Sequence, residues 1–228
     1  MSIYPSTIPS TTDYPDRQDD IDWVTAERYN ELKNEILAIC KELGVLPKGS
    51  YSDVRARLDS LESGLGKAFE KVAEVEVSSD CDYVDFTGLD GNSAWFYVLF
   101  ATIKNPTASG SAYHLYVNGD TTDTNYYCQY ITGNGTNVTP ARVNEPIIGY
   151  VPAGNRVYDI VNISKDPDGY FRYYVNTNRY SSSSIQVQIQ AGVKTATIDN
   201  ITSLRVQANV SNAIGAGSKF ILFKARRG

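Results

Sequence analysis

From about residue 75 to its end the chain alternates apolar and polar residues with a period of two, in short runs broken by turn signals. That pattern leaves a polypeptide little choice. Successive side chains of a strand point to opposite faces, so each run has one face for a core and one for the surroundings. The runs fall at 82–86, 94–103, 112–118, 125–131, 156–163, 169–176, 184–190, 203–209 and 219–225. "NGD" (118–120) and "DPDG" (166–169) are tight-turn sequences, and the second sits between two alternating runs. "AWFYVLFATI" (94–103) is apolar on both phases, which predicts a central strand. No helical period intervenes, so the expected fold is mainly β, with an antiparallel β-sandwich or jelly-roll head over 76–228.

The first third reads differently. Tyr29, Leu32, Ile36, Ile39 and Leu43 recur at gaps of three and four, one stripe of a helix over 25–43 with Thr25 and Gly44 as caps. "GVLPKGSY" (44–51) breaks it. A second helix is expected from Asp53, capped by Ser52, to about Val72. Its seam is Val54, Leu58, Leu61, Leu65, Ala68 and Val72, continuing to Val75, with alternating gaps of four and three. Gly64 and Gly66 lie off the seam and weaken the helix by about 1 kcal/mol each. Two short helices with one stripe each are not stable alone in water. They can close on each other as a hairpin or line up around a symmetry axis. The strict seven-residue spacing favours the axis. Residues 25–75 are therefore expected to be a coiled-coil oligomerisation segment. Ahead of them, residues 1–24 carry Pro5, Pro9 and Pro15 and an acidic "DRQDD", which suits an extended arm.

Charge and composition exclude several functions. The net charge is −5, and the one basic cluster is the terminal "KARRG", so no nucleic-acid partner is expected. No apolar run approaches the ~18 residues of a membrane span, and the start lacks the basic and apolar regions of a Sec signal. Cys40, Cys81 and Cys128 are odd in number, without metal-ligand spacing, and read as reduced thiols. The five sequons, at Asn134, Asn137, Asn162, Asn200 and Asn209, read as by-products of an Asn/Ser/Thr-rich β domain.

Catalytic chemistry finds few candidates. His114 is the single histidine and lies in an alternating run with no nucleophile beside it. Asp80, Asp82 and Asp85, and Asp120 and Asp123, are carboxylate groups that a glycosidase or a calcium site would use, but turns are rich in Asp for local reasons. "GNGT" and "GAGS" lack the lysine and strand-to-helix setting of a phosphate loop. No enzyme activity, cofactor or metal is expected. Seventeen tyrosines, against seven Phe and two Trp, with many Asn, Ser and Thr, suit a contact-making surface such as a sugar or protein binder.

The order of parts resembles the virion fibre, spike and decoration proteins of tailed bacteriophages. The stretches that carry the resemblance are "DYPDRQDDIDWVTAERYNELKNEILAICKELG" (13–44), "YHLYVNGDTTDTNYYCQY" (113–130) and "NITSLRVQANVSNAIGAGSKFILFK" (200–224), where Gly215 and Gly217 precede a final apolar strand. The chain lacks the repetitive shaft of long tail fibres. The resemblance implies a homotrimer at the particle surface, gripping capsid or tail proteins through residues 1–50, with Tyr4, Pro5, Pro9, Tyr14 and Pro15 in the anchor. It implies a β head turned outward, toward a host cell-surface glycan or protein. The alternatives are a stand-alone carbohydrate-binding module and a glycan-degrading enzyme using the carboxylates.

Overall fold

The computed structural model describes residues 26–43, 49–65, 69–181 and 184–226. The chain divides into two units, Met1–Leu65 and Gly66–Gly228. The first holds α1 (Ala26–Leu43) and α2 (Val54–Leu65). Asp53, not Ser52, caps α2: its Oδ1 accepts the Ala56 N–H at 2.7 Å, and Ser52 Oγ donates to its other oxygen. The expected caps Thr25 and Gly44 lie outside the described residues, as do Tyr4, Pro5, Pro9, Tyr14, Pro15 and Ala68.

The second unit is β throughout, apart from single 3-10 turns. In chain order its strands are β1 (Phe69–Glu76), β2 (Tyr83–Thr87), β3 (Ala94–Lys104), β4 (Ser111–Val117), β5 (Tyr126–Asn134) and β6 (Asn137–Val143). There follow β7 (Ile147–Val151), β8 (Arg156–Lys165), β9 (Tyr170–Ser181), β10 (Ser184–Thr197), β11 (Ser203–Ala208) and β12 (Lys219–Arg226). They form two antiparallel sheets. One has eight strands in the order β1-β12-β3-β8-β9-β10-β5-β6, the other four in the order β2-β11-β4-β7.

The helical segment ends at Leu65, not at residue 75. Val72 and Val75 of the expected seam belong to β1, which pairs with β12 from Phe69↔Ala225 to Glu76↔Lys219. Two physical causes coincide. Gly64 and Gly66 lower helix propensity at the boundary. Beyond them "FEKVAEVE" puts Ala73 and Val75 against the core while Glu74 and Glu76 face Lys219. Val72 sits where the β1 register shifts, between Lys71 and Ala73.

The two sheets share one core. Tyr97, Leu99, Ala101 and Ile103 of β3, Val157, Val161 and Ile163 of β8, and Phe171, Tyr173 and Val175 of β9 line the large sheet's inner face. Phe86, Leu115, Val117, Ile148, Leu204 and Val206 come from the small sheet. β3 is interior, as its doubly apolar sequence predicts. The turns form as read: Asn118 and Gly119 both have positive φ (54° and 75°), and Gly169 N donates to Asp166 O at 3.0 Å, closing the β8–β9 hairpin.

Candidate binding groove

In antiparallel pairing, directly opposed residues share a face. The registers Gln129↔Arg142, Tyr127↔Val193, Gln129↔Ala191, Val193↔Arg172, Ala191↔Tyr174 and Tyr174↔Asn162 therefore place one set of side chains on the outer face of the large sheet. Across β6, β5, β10, β9 and β8 this set is Arg142, Gln129, Ala191, Tyr174 and Asn162. The small Ala191, beside Gly192, makes a low strip along β10 between taller neighbours. Gly192 has its own reason: the Tyr173 ring fills the space on the core side where a Cβ would stand. A cavity of about 610 Å³ lies over this strip, lined by Tyr127, Gln129, Arg142, Asn144, Arg172 and Ala191 among others. A second, of about 290 Å³, shares Arg172, Ala191 and Gly192 with it and runs on to Tyr174, Asn162, Ser164 and Phe96. The two make one groove.

Its electrostatics are one-sided. Neither cavity is lined by a carboxylate, and both include a guanidinium. Arg142 Nη2 donates to the neutral Gln129 Oε1 at 3.2 Å, and among the described residues Arg142 pairs with no acid. Arg172 Nε donates to Asp166 Oδ2 at 2.5 Å from outside the groove lining. That bond holds the Asp166 carboxyl below its usual range.

The outer face continues as an apolar stripe over β8, β3, β12 and β1. Phe96, Val98, Phe100, Ile160, Ile221 and Phe223 are half-buried or buried there. They pack on one another, with Phe100 against Phe223 and Phe69 against Phe96 at ring distances of 5.9 Å. On the other side of the groove, Ile131 pairs with Ile189 in register, and both are half exposed. In the helical unit the predicted stripes point outward: Leu32, Ile39 and Leu43 of α1 and Leu58 and Leu61 of α2 are 46–58 % exposed. Ile36 is exposed as well, while Tyr29 and Val54 are half-buried.

The carboxylates singled out in the sequence have structural partners. Asp80 Oδ1 accepts the Ala216 N–H (2.8 Å) and Asp82 Oδ1 that of Asn212 (2.6 Å), so both anchor the loop before β12. Asp85 takes a bidentate pair from Arg205, both bonds 2.7 Å, and the guanidinium also stacks on Tyr83. Asp120 meets Lys194 Nζ at 2.5 Å and Asn125 Nδ2 at 2.9 Å. Burial raises its pKa, but Lys194 and Asn125 outweigh that and hold it below the usual range. Among the described residues no group of three His, Cys, Asp or Glu is placed to hold a metal ion.

His114 is buried rather than merely strand-borne. Its Nδ1 lies 2.9 Å from Tyr116 Oη, which donates to Asp123 Oδ1 at 2.5 Å, while Nε2 is 3.4 Å from Glu145 Oε2. Burial holds the imidazole below its usual pKa, against the pull of Asp123 and Glu145. Asp159 of β8 is fully buried on the core side with neither oxygen hydrogen-bonded. Thr177, its cross-strand partner, turns its hydroxyl to Ile148 O (3.3 Å). Burial pushes Asp159 up to about 8. The three cysteines are free thiols.

Compared with protein-family models, curated proteins and solved structures, the chain matches none. No helix among the described residues is long and apolar enough to cross a membrane.

Proposed function

We propose that this chain is a structural virion protein of a tailed bacteriophage: a homotrimeric spike or decoration protein whose helical segment trimerises and whose β head faces the host surface. Capsid or tail proteins hold it through residues 1–50. The observation that carries this reading is the outward apolar stripe on each helix. Leu32, Ile39, Leu58 and Leu61 stay about half exposed in the single chain, and helices of this length need a packed face to persist. Three copies offer each seam a partner. The head is the attachment module, and trimerisation multiplies weak single-site binding.

The test is location. Antibodies against the head are expected to decorate intact tailed particles, on capsid or tail, in electron micrographs. Antigen confined to the particle-free fraction would refute the proposal. A second reading, a stand-alone carbohydrate-binding module, draws on the groove alone. It gains if the full chain binds glycans as a monomer.

A further inference from the structure

We infer that the groove across β6, β5, β10, β9 and β8 is a binding site for an acidic oligosaccharide, with Arg142 as the residue that meets a sugar carboxylate. The inference rests on reading the head as an attachment module and names the class of ligand that the module takes.

Charge selects the ligand first. Two guanidiniums line the groove and no carboxylate does. Arg172 is already committed to Asp166, whereas Arg142 has a neutral amide beside it and, among the described residues, no acid. A guanidinium with free donors is matched by the planar, two-oxygen geometry of a carboxylate. Shape selects next. Cavities of about 610 and 290 Å³ that share Arg172 and Ala191 form a trough too long for a single small anion. The larger falls within the range of small-molecule sites, roughly 300–1,000 Å³. The walls suit sugars. Tyr127 and Tyr174 are each almost half exposed and offer flat faces to C–H groups, and Gln129, Asn144 and Asn162 offer amides to hydroxyls. The floor at Ala191 lets a ring approach the sheet. A nucleic acid is disfavoured by the net charge of −5 and by the absence of a basic stripe leading to the groove.

The experiment is titration calorimetry on the full chain with three acidic probes: an oligogalacturonate tetrasaccharide, a hyaluronan tetrasaccharide and sialyllactose. Cellotetraose is the neutral control. Light scattering on the same samples reads the oligomeric state separately. At least one acidic probe is expected to bind at millimolar concentration or below, with cellotetraose at least tenfold weaker. Arg142 is exposed on an edge strand, so Arg142→Gln keeps the fold, checked by circular dichroism, and should weaken acidic binding about tenfold, equivalent to about 1.4 kcal/mol. Ala191→Tyr, which fills the trough while leaving both arginines in place, should abolish it. Binding unchanged in both variants, equal binding of cellotetraose, equal displacement by inorganic phosphate or an oligothymidylate, or no heat from any acidic probe overturns the inference. A monomeric mass with acidic binding intact would refute the trimer and leave the groove assignment standing.

Discussion

Asp159 makes the head of this protein lose stability as the pH rises from about 4 to about 8. The carboxyl is fully buried, its oxygens lack hydrogen-bond partners, and burial lifts its pKa to about 8. In the unfolded chain it titrates near its ordinary value of about 3.9. Below that value both states hold the proton and stability is at its fullest. As the pH rises, the unfolded chain releases the proton and the folded chain does not, so stability falls by about 1.4 kcal/mol per unit until the folded carboxyl ionises. At pH 7 the accumulated loss is about 4 kcal/mol, a large share of the ~5–15 kcal/mol that holds a domain together. Asp159→Asn keeps the shape and removes the titration. Urea unfolding of both proteins at pH 5, 6 and 7 should show the Asn variant gaining on the parent by about 3 kcal/mol between pH 5 and 7. Parallel stability curves would refute the reasoning, because they would mean that the carboxylate is ionised in the fold and finds solvation there.

Three further outcomes follow from neighbouring contacts. Gly149→Ala places a Cβ 2.8 Å from Asp159 Oδ2, and chemical denaturation should register a loss of about 1–3 kcal/mol. Lys194→Met leaves Asp120 without its cation, and since that carboxyl is held low in the fold, the parent should lose the Lys194 contribution as pH falls through the carboxylate range while the variant shows a flatter acid limb in a pH melt. Cys128 is buried, and burial pushes its thiol up to about 11. It should stay unlabelled by iodoacetamide at pH 8 in the native protein and react after denaturation, as read by mass spectrometry.

Much of the head is legible in the sequence because its signals are local. Alternation with turn chemistry at "NGD" and "DPDG" locates nine strands, and the doubly apolar "AWFYVLFATI" marks an interior one. β1 is hidden because Val72 and Val75 continue the three-and-four spacing from Val54, while only Ala73 and Val75 fit the strand's period of two. Only pairing with β12 decides between them. β6 is hidden by Pro140 and its polar residues, which an edge strand tolerates. Asp159 carries a local signal of its own: it occupies the apolar phase between Val157 and Val161, where a charge marks a buried carboxyl. The groove is not legible, since Gln129, Arg142, Arg172 and Tyr174 meet only through strand register. Its one local hint is the Ala191–Gly192 pair inside a strand of larger residues.

The central claim is self-association through the helical seams, and solution mass tests it most directly. Light scattering of the full chain at micromolar concentration should give about 76 kDa, three times the 25.2 kDa chain. Leu58→Ser with Leu61→Ser, on the exposed stripe of α2, should return the monomer mass while the β signal in circular dichroism persists. A parent protein at 25.2 kDa, or a trimer untouched by the two substitutions, would contradict the account.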